Sequence, residues 1–209
     1  MEIFPNNTEL HLRCEGKDYT ETFRIVKSLK TGGSVRVYRV EYGNVPFIMR
    51  QFIGCYSEHI YHDEHGALTC KPGYSLSQFL AEQQVYYNQQ KAVQHIKESE
   101  DTDPFYFIPD ILFYDSPAAN GNHQLFLISK EPELNVYSNL IREAHQAKGE
   151  SDLSLCSLLQ CTEALCMCLN VMHAKGLIHG DIKPANFGFL KGAEGRTLFD
   201  TIQLFDTNT

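Results

Sequence analysis

The sequence predicts an α+β protein, an antiparallel sheet with helices set against it. Three observations carry that prediction. Val35 to Tyr42 sets Val35, Val37, Tyr38, Val40 and Tyr42 against Arg36, Arg39 and Glu41, a strand pattern between two turns. Ser75-Leu-Ser-Gln78 is a capping-box pattern that opens a stretch of helical spacing. A second helical pattern starts at Ser154 and stops at Gly176, and a loop and two short strands follow it.

The elements follow in order. Residues 1–22 read as an N-terminal extension. Phe23 to Leu29 is the first strand and runs into the turn Thr31-Gly32-Gly33-Ser34. Val35 to Tyr42 is the second, Gly43-Asn44 a tight turn, and Phe47 to Ile53 the third. Residues 54–73, rich in His and Gly, read as an irregular insertion. The following helix should turn Phe79, Glu82, Tyr86, Val93 and Ile96 inward and end before the acidic stretch Glu98 to Asp103. Strands are expected at Tyr106 to Tyr114 and Gln124 to Ser129, around a turn at Pro117 to Asn122. The second helix should bury Leu158, Leu165, Leu169 and Met172. The last two strands are Phe187 to Leu190 and Ile202 to Phe205. The expected architecture is a five-stranded antiparallel sheet with one helix over residues 23–132, followed by the start of a helical part over 133–209.

Bulk properties bound the function. A chain of 209 residues suits one domain or a small two-lobed unit. Its 43% apolar content supports a core, and its net charge of -8 argues against a nucleic-acid or membrane-surface binder. No uninterrupted apolar run approaches a membrane span, and the N-terminus lacks a signal-peptide pattern. Seven cysteines, four of them at 156, 161, 166 and 168, read as buried helix thiols rather than a disulfide framework. A cytoplasmic or nuclear setting is expected. His59, His62 and His65 with Asp63, Glu64, Cys55 and Cys70 match no zinc spacing and read as an insertion loop.

The chemistry concentrates in His179-Gly-Asp-Ile-Lys-Pro-Ala-Asn186. Phosphoryl transfer needs an acid beside the accepting hydroxyl, an amide to hold a metal, and a cation at the phosphate. Asp181, Asn186 and Lys183 supply these groups within six residues. Asp181-x-Lys183-Pro184-x-Asn186, after a helix and before a short strand, resembles the catalytic loop of eukaryotic-type protein kinases, most of all the Ser/Thr type.

The resemblance covers about residues 23–209 and implies roles. Asp181 would orient and deprotonate the substrate hydroxyl, Lys183 would contact the γ-phosphate, and Asn186 would hold Mg²⁺. Asp206 would be the second metal ligand, with Asp200 as the alternative. Lys183, two residues after Asp181, implies a protein Ser/Thr substrate. Gly32, Gly33 and Val37 fall where a phosphate-covering loop and the residue over adenine would be. Arg50 falls where the strand lysine would be, Glu82 where its helix glutamate would be, and Ser129 to Pro132, with Glu131, where the hinge would be. ATP and Mg²⁺ are the implied cofactors. The stretches Gly32-Gly33-Ser34, Val35 to Val40 and Lys-Pro-Ala-Asn-Phe187 are also similar to spindle-checkpoint kinases.

The pattern departs in places. Arg50 replaces a lysine, Ile48 a small alanine, and Gly180 the usual arginine after His179. Lys30 and Val35 replace two loop glycines, and Thr207-Asn208 follows Asp206 in place of Phe-Gly. The sequence ends at Thr209, so an incomplete large lobe is expected, with an apolar helix face around Leu165 that a partner would cover. The alternative function is a kinase-like interaction module without phosphotransfer.

Overall fold

The structure is a computed structural model. It describes residues 4–32, 34–56, 58–99, 109–131, 133–147, 153–193 and 196–205. Gly33, Pro132 and Asp206, singled out above, lie outside the described residues, as do residues 100–108 of the two stretches on either side of Pro104. The chain divides into two units, Met1–Asn88 with Asp110–Glu131, and Gln89–Pro109 with Pro132–Thr209.

The first unit is built on strands β1 (Glu9–Cys14), β2 (Thr20–Gly32), β3 (Val35–Tyr42), β4 (Val45–Phe52), β7 (Leu112–Pro117) and β8 (His123–Lys130). They close into a barrel in the order β1-β2-β3-β4-β8-β7. The expected five-stranded sheet therefore has a sixth strand. Glu9 to Cys14 pairs with β2 on one side and β7 on the other, which removes the open edge. Leu12, Phe23, Ile25, Tyr38, Val40, Met49, Tyr114, Phe126 and Ile128 fill the interior. The β3–β4 turn follows from its chemistry: Gly43 and Asn44 both have positive φ, 55° and 66°, as a two-residue type I′ hairpin requires.

Residues 54–73 are not wholly irregular. A short 3-10 turn leads to a hairpin, β5 (Ile60–His62) and β6 (Leu68–Cys70). Asp63 closes it by accepting the main-chain N–H groups of His65 and Ala67, both at 2.9 Å. Ile60 and Leu68 bury against Phe52, Tyr56 and Phe79.

Helix α1 (Leu76–Ser99) starts where the capping pattern predicts, with Ser75 Oγ accepting from Gln78 N at 3.2 Å. Its buried stripe keeps Phe79 and Val93 of the expected one but is shifted between them. Phe79, Gln83, Tyr87 and Gln90 are buried, while Glu82 and Tyr86 are half-buried. The offset comes from glutamines whose amides are satisfied inside. Gln83 Nε2 donates to His123 O and Gln83 Oε1 accepts from Leu125 N, both at 2.9 Å.

The second unit holds β9 (Leu134–Val136), α2 (Tyr137–Gln146), α3 (Leu155–Ala174), β10 (Phe187–Lys191) and β11 (Thr197–Leu204). The strands form a sheet in the order β11-β10-β9. Helix α3 is fixed at both ends by local chemistry. Ser154 and Ser157 make a reciprocal capping box. At the other end Leu177 N donates to Met172 O and Gly176 N to His173 O, with Gly176 at φ 74°, a Schellman stop. The face it buries is Ser157, Cys161, Cys168 and Met172. Leu165 and Leu169 pack beside them, while Leu158, expected inward, is exposed. By length and composition α3 is apolar enough to cross a membrane, with a mean hydropathy of 1.5 over an 18-residue window. It packs here as a core helix against Phe187, Phe189, Ile202 and Leu204.

Candidate active site

In the second unit the loop from Leu177 to Asn186 hangs between α3 and β10 and is tied at several points. Leu177 and His179 are buried at its start, and Asn186 at its end. Gly180 takes φ 76°, a left-handed turn that a side chain would strain. Asp181 N donates to His179 Nδ1 at 3.4 Å, and Asn186 N to Lys183 O at 2.8 Å. Pro184 O accepts from Ser138 N at the start of α2, and Asn186 O from Phe205 N.

This scaffold brings Asp181, Lys183 and Asn186 together. Lys183 Nζ lies 2.5 Å from Asp181 Oδ2. Asn186 Nδ2 donates to the same oxygen at 2.9 Å and to Asp181 O at 3.0 Å. The lysine bond first, and the asparagine bond after it, hold the Asp181 carboxyl below the usual carboxylate range. Asp181 is therefore an anion at neutral pH, with its second oxygen available to accept a hydroxyl proton.

Asn186 Oδ1 is buried and has no hydrogen-bond partner among the described residues. A buried carbonyl oxygen without a donor suits a hard cation. Among the described residues there is no group of three His, Cys, Asp or Glu able to hold a metal. Phe205 N donates to Asn186 O, and Asp200 lies further along β11, within the stretch where the register against β10 shifts.

In the first unit, strand register sets Val37 beside Arg50. Val37, Arg50 and Leu127 form one cross-strand row, and Arg39, Ile48 and Ser129 the next. Arg50 donates to Ser129 Oγ at 3.1 Å. Glu131 accepts from Arg39 Nε at 2.7 Å, and its own N–H goes to Pro46 O. Gly32 ends β2 opposite Val35. Glu82 accepts from the Tyr56 hydroxyl and from Gln78 Nε2, each at 3.0 Å. Burial, and then the bond to Glu82, pushes Tyr56 up to about 12. Tyr56 and Gln83 escaped the sequence reading. A buried glutamine leaves no signal in an apolar pattern, and Tyr56 sits in a stretch without periodicity.

Solved structures share this fold. The apo form of PpkA-294 superposes with a TM-score of 0.64 at 15% identity, over 98% of this chain and 61% of its own. The BubR1 kinase domain gives 0.60 at 16%, over 99% and 51%. The ROP18 kinase domain in complex with AMP-PNP and sucrose gives 0.56 at 17%, over 97% and 56%. No family model matches the sequence, and no curated protein does.

The chain thus has a protein-kinase-like fold, as the catalytic-loop resemblance implies. A spindle-checkpoint kinase domain, that of BubR1, is among the structures it resembles, and what is shared at this identity is the fold. The chain spans between 51% and 61% of the length of these three proteins.

Proposed function

We propose that the chain belongs to an ATP- and Mg²⁺-dependent protein kinase that transfers the γ-phosphate to a Ser or Thr hydroxyl. One observation carries this reading. Asn186 holds Asp181 through two hydrogen bonds while keeping its own Oδ1 buried and without a partner among the described residues. A purely structural asparagine would gain by satisfying that oxygen.

The roles follow from the geometry and the resemblance. Asp181 orients the substrate hydroxyl and takes its proton. Lys183 meets the γ-phosphate, and its position two residues after Asp181 supports a Ser/Thr substrate. Asn186 Oδ1, with Asp206 from the sequence, would hold Mg²⁺, which when bound neutralises charge on the phosphates. Val37, Arg50, Gly32 and Gly33 contribute to the nucleotide site, and ROP18, solved with AMP-PNP, supports nucleotide binding on this fold. Glu131 is bound to Arg39 and shapes the strand end beside that face. The acidic charge and the free cysteines support a cytoplasmic or nuclear setting.

A second reading is a kinase-like module that binds a protein partner and transfers nothing. Ile48 in place of a small residue, and an Arg50 guanidinium engaged by Ser129, favour it. Thermal shift with millimolar ATP, with and without Mg²⁺, separates the two. The kinase reading expects a Mg²⁺-dependent rise in melting temperature, and phosphate transfer to a generic protein substrate that Asp181→Ala abolishes. No shift under any condition would sink it.

A further inference from the structure

The strand that closes the barrel is held weakly on one side. Among the described residues the β1–β7 register has two pairs, Arg13↔Asp115 and Cys14↔Tyr114. Every other pair of neighbouring strands in the barrel has between five and eight. Few main-chain bonds cross this seam, so it is where the sheet parts most readily.

On its other side β1 is held well. Five pairs join it to β2. The ladder also runs on past Glu9, with Asn7 N donating to Ile25 O at 2.7 Å and Ile25 N to Thr8 O at 2.9 Å. A parting at the seam therefore leaves the β1–β2 hairpin whole.

Side chains reinforce the short seam. Arg13 Nε and Nη2 donate to Asp115 Oδ1 and Oδ2 at 3.1 and 2.7 Å, a bidentate grip from β1 to β7. Asp115 also lies 3.4 Å from His123 Nδ1 on β8. The Tyr114 hydroxyl reaches past β1 to donate to Glu21 on β2. Glu15 N, one residue beyond β1, donates to Phe113 O at 2.9 Å. Behind these bonds Leu12, Cys14, Tyr114 and Phe126 are buried and stay dry while the seam is closed.

We propose that the barrel is gated at this seam: it opens by parting β1 from β7 while β1 stays on β2, and the Arg13–Asp115 pair is the latch. Opening frees two strand edges and uncovers Cys14 and Tyr114. The closed latch keeps both edges from pairing with another chain. The gate is independent of whether the chain transfers phosphate.

The test is iodoacetamide labelling of the native chain at a series of low urea concentrations, beside amide hydrogen exchange. Alkylation, in which the Cys14 thiolate displaces iodide, needs the seam open. Peptide mass spectrometry reads Cys14 apart from the exposed Cys55, Cys156 and Cys166. Cys14 should label through an opening that low urea barely changes, because little surface is exposed by it. The Glu15 amide, which crosses the seam, should exchange through the same opening. The Ile25 amide, on the β1–β2 side, should exchange only on global unfolding. Asp115→Asn and Arg13→Gln should each speed Cys14 labelling about fivefold. Arg24→Gln, which breaks the Arg24–Glu41 pair between β2 and β3, is the control and should leave it unchanged. Circular dichroism checks that each variant folds, and either latch variant suffices. Cys14 labelling that follows global unfolding in its urea dependence would overturn the gate. So would labelling indifferent to the latch variants, or sped as much by Arg24→Gln. An Ile25 amide that exchanges together with Glu15 would also overturn it, because β1 would then be leaving β2.

Discussion

Asn186 grips Asp181 twice, at its main-chain oxygen and at its carboxylate, through a single Nδ2 group. The side chain is buried, so its loss is felt in two ways. Asn186→Ala frees the Asp181 carboxylate to rotate and removes the oxygen offered to Mg²⁺. The Mg²⁺-dependent part of the ATP thermal shift should vanish. Urea denaturation should show a loss of about 1–2 kcal/mol for the unmade buried bonds. An unaltered Mg²⁺ response would show that Asn186 serves the loop alone.

Asp181 owes its depressed pKa first to Lys183. A carboxylate whose folded value lies below its unfolded one stabilises the fold above the unfolded value, about 3.9. That contribution fades as pH falls through the folded value. Lys183→Met should raise the Asp181 value without restoring it fully, because the Asn186 bond persists. Carboxyl-carbon NMR titration between pH 2 and 6 reads it directly, and an unmoved Asp181 would contradict the geometry.

The parts legible in the sequence are those set by neighbouring residues. Ser154 and Gly176 bound α3 because a capping box and a Schellman stop need only a few consecutive residues. Gly43-Asn44 gave away the β3–β4 hairpin for the same reason. Asp181, Lys183 and Asn186 were found together because the site is one short loop. What stayed hidden depends on distant partners. Glu9 to Cys14 becomes a barrel strand only because β2 and β7 flank it. In α1 Phe79 and Val93 are buried as the spacing predicts, while Gln83 and Gln90, buried beside them, leave no signal in an apolar pattern. The irregular register of Asp200 on β11 likewise depends on how β10 pairs with it.

Gly188 marks where β9 crosses close to β10. A Cβ there would stand 2.9 Å from Asn135 O and 3.1 Å from Val136 Cα, both main-chain atoms that cannot swing aside. Gly188→Ala should cost about 1–3 kcal/mol, read as a lower urea midpoint with an unchanged slope. Gly188→Val should cost more. A neutral alanine would mean that β9 yields freely.

Ile48 lies between Arg39 and Ser129 on the sheet face assigned to nucleotide. If its bulk limits access, Ile48→Ala should tighten ATP binding about threefold, or about 0.7 kcal/mol, by calorimetry. Stability should fall at the same time, since a half-buried side chain is shortened. Affinity that falls with stability would remove Ile48 as the obstacle and strengthen the reading without phosphotransfer.

Gln83 joins α1 to the barrel in the manner of an extra strand. The β4–β8 pairing ends at Gln51↔Phe126, and the next main-chain groups on β8, His123 O and Leu125 N, are taken by the Gln83 amide. Gln83→Met keeps the length and the helix propensity but satisfies neither group. Leaving a buried main-chain group unmade costs about 1–3 kcal/mol, so a loss of at least about 1 kcal/mol is expected. The sharper readout is local. Hydrogen exchange at the Leu125 amide should accelerate in Gln83→Met while the Phe126 to Lys130 amides keep their protection. Glu82 sits one residue away on the same helix, so its bond to Tyr56 should loosen in parallel and the Tyr56 hydroxyl should titrate lower. If Leu125 exchanges no faster in the variant, α1 is held by Phe79 and Tyr87 packing alone, and the Gln83 clamp contributes nothing to its position.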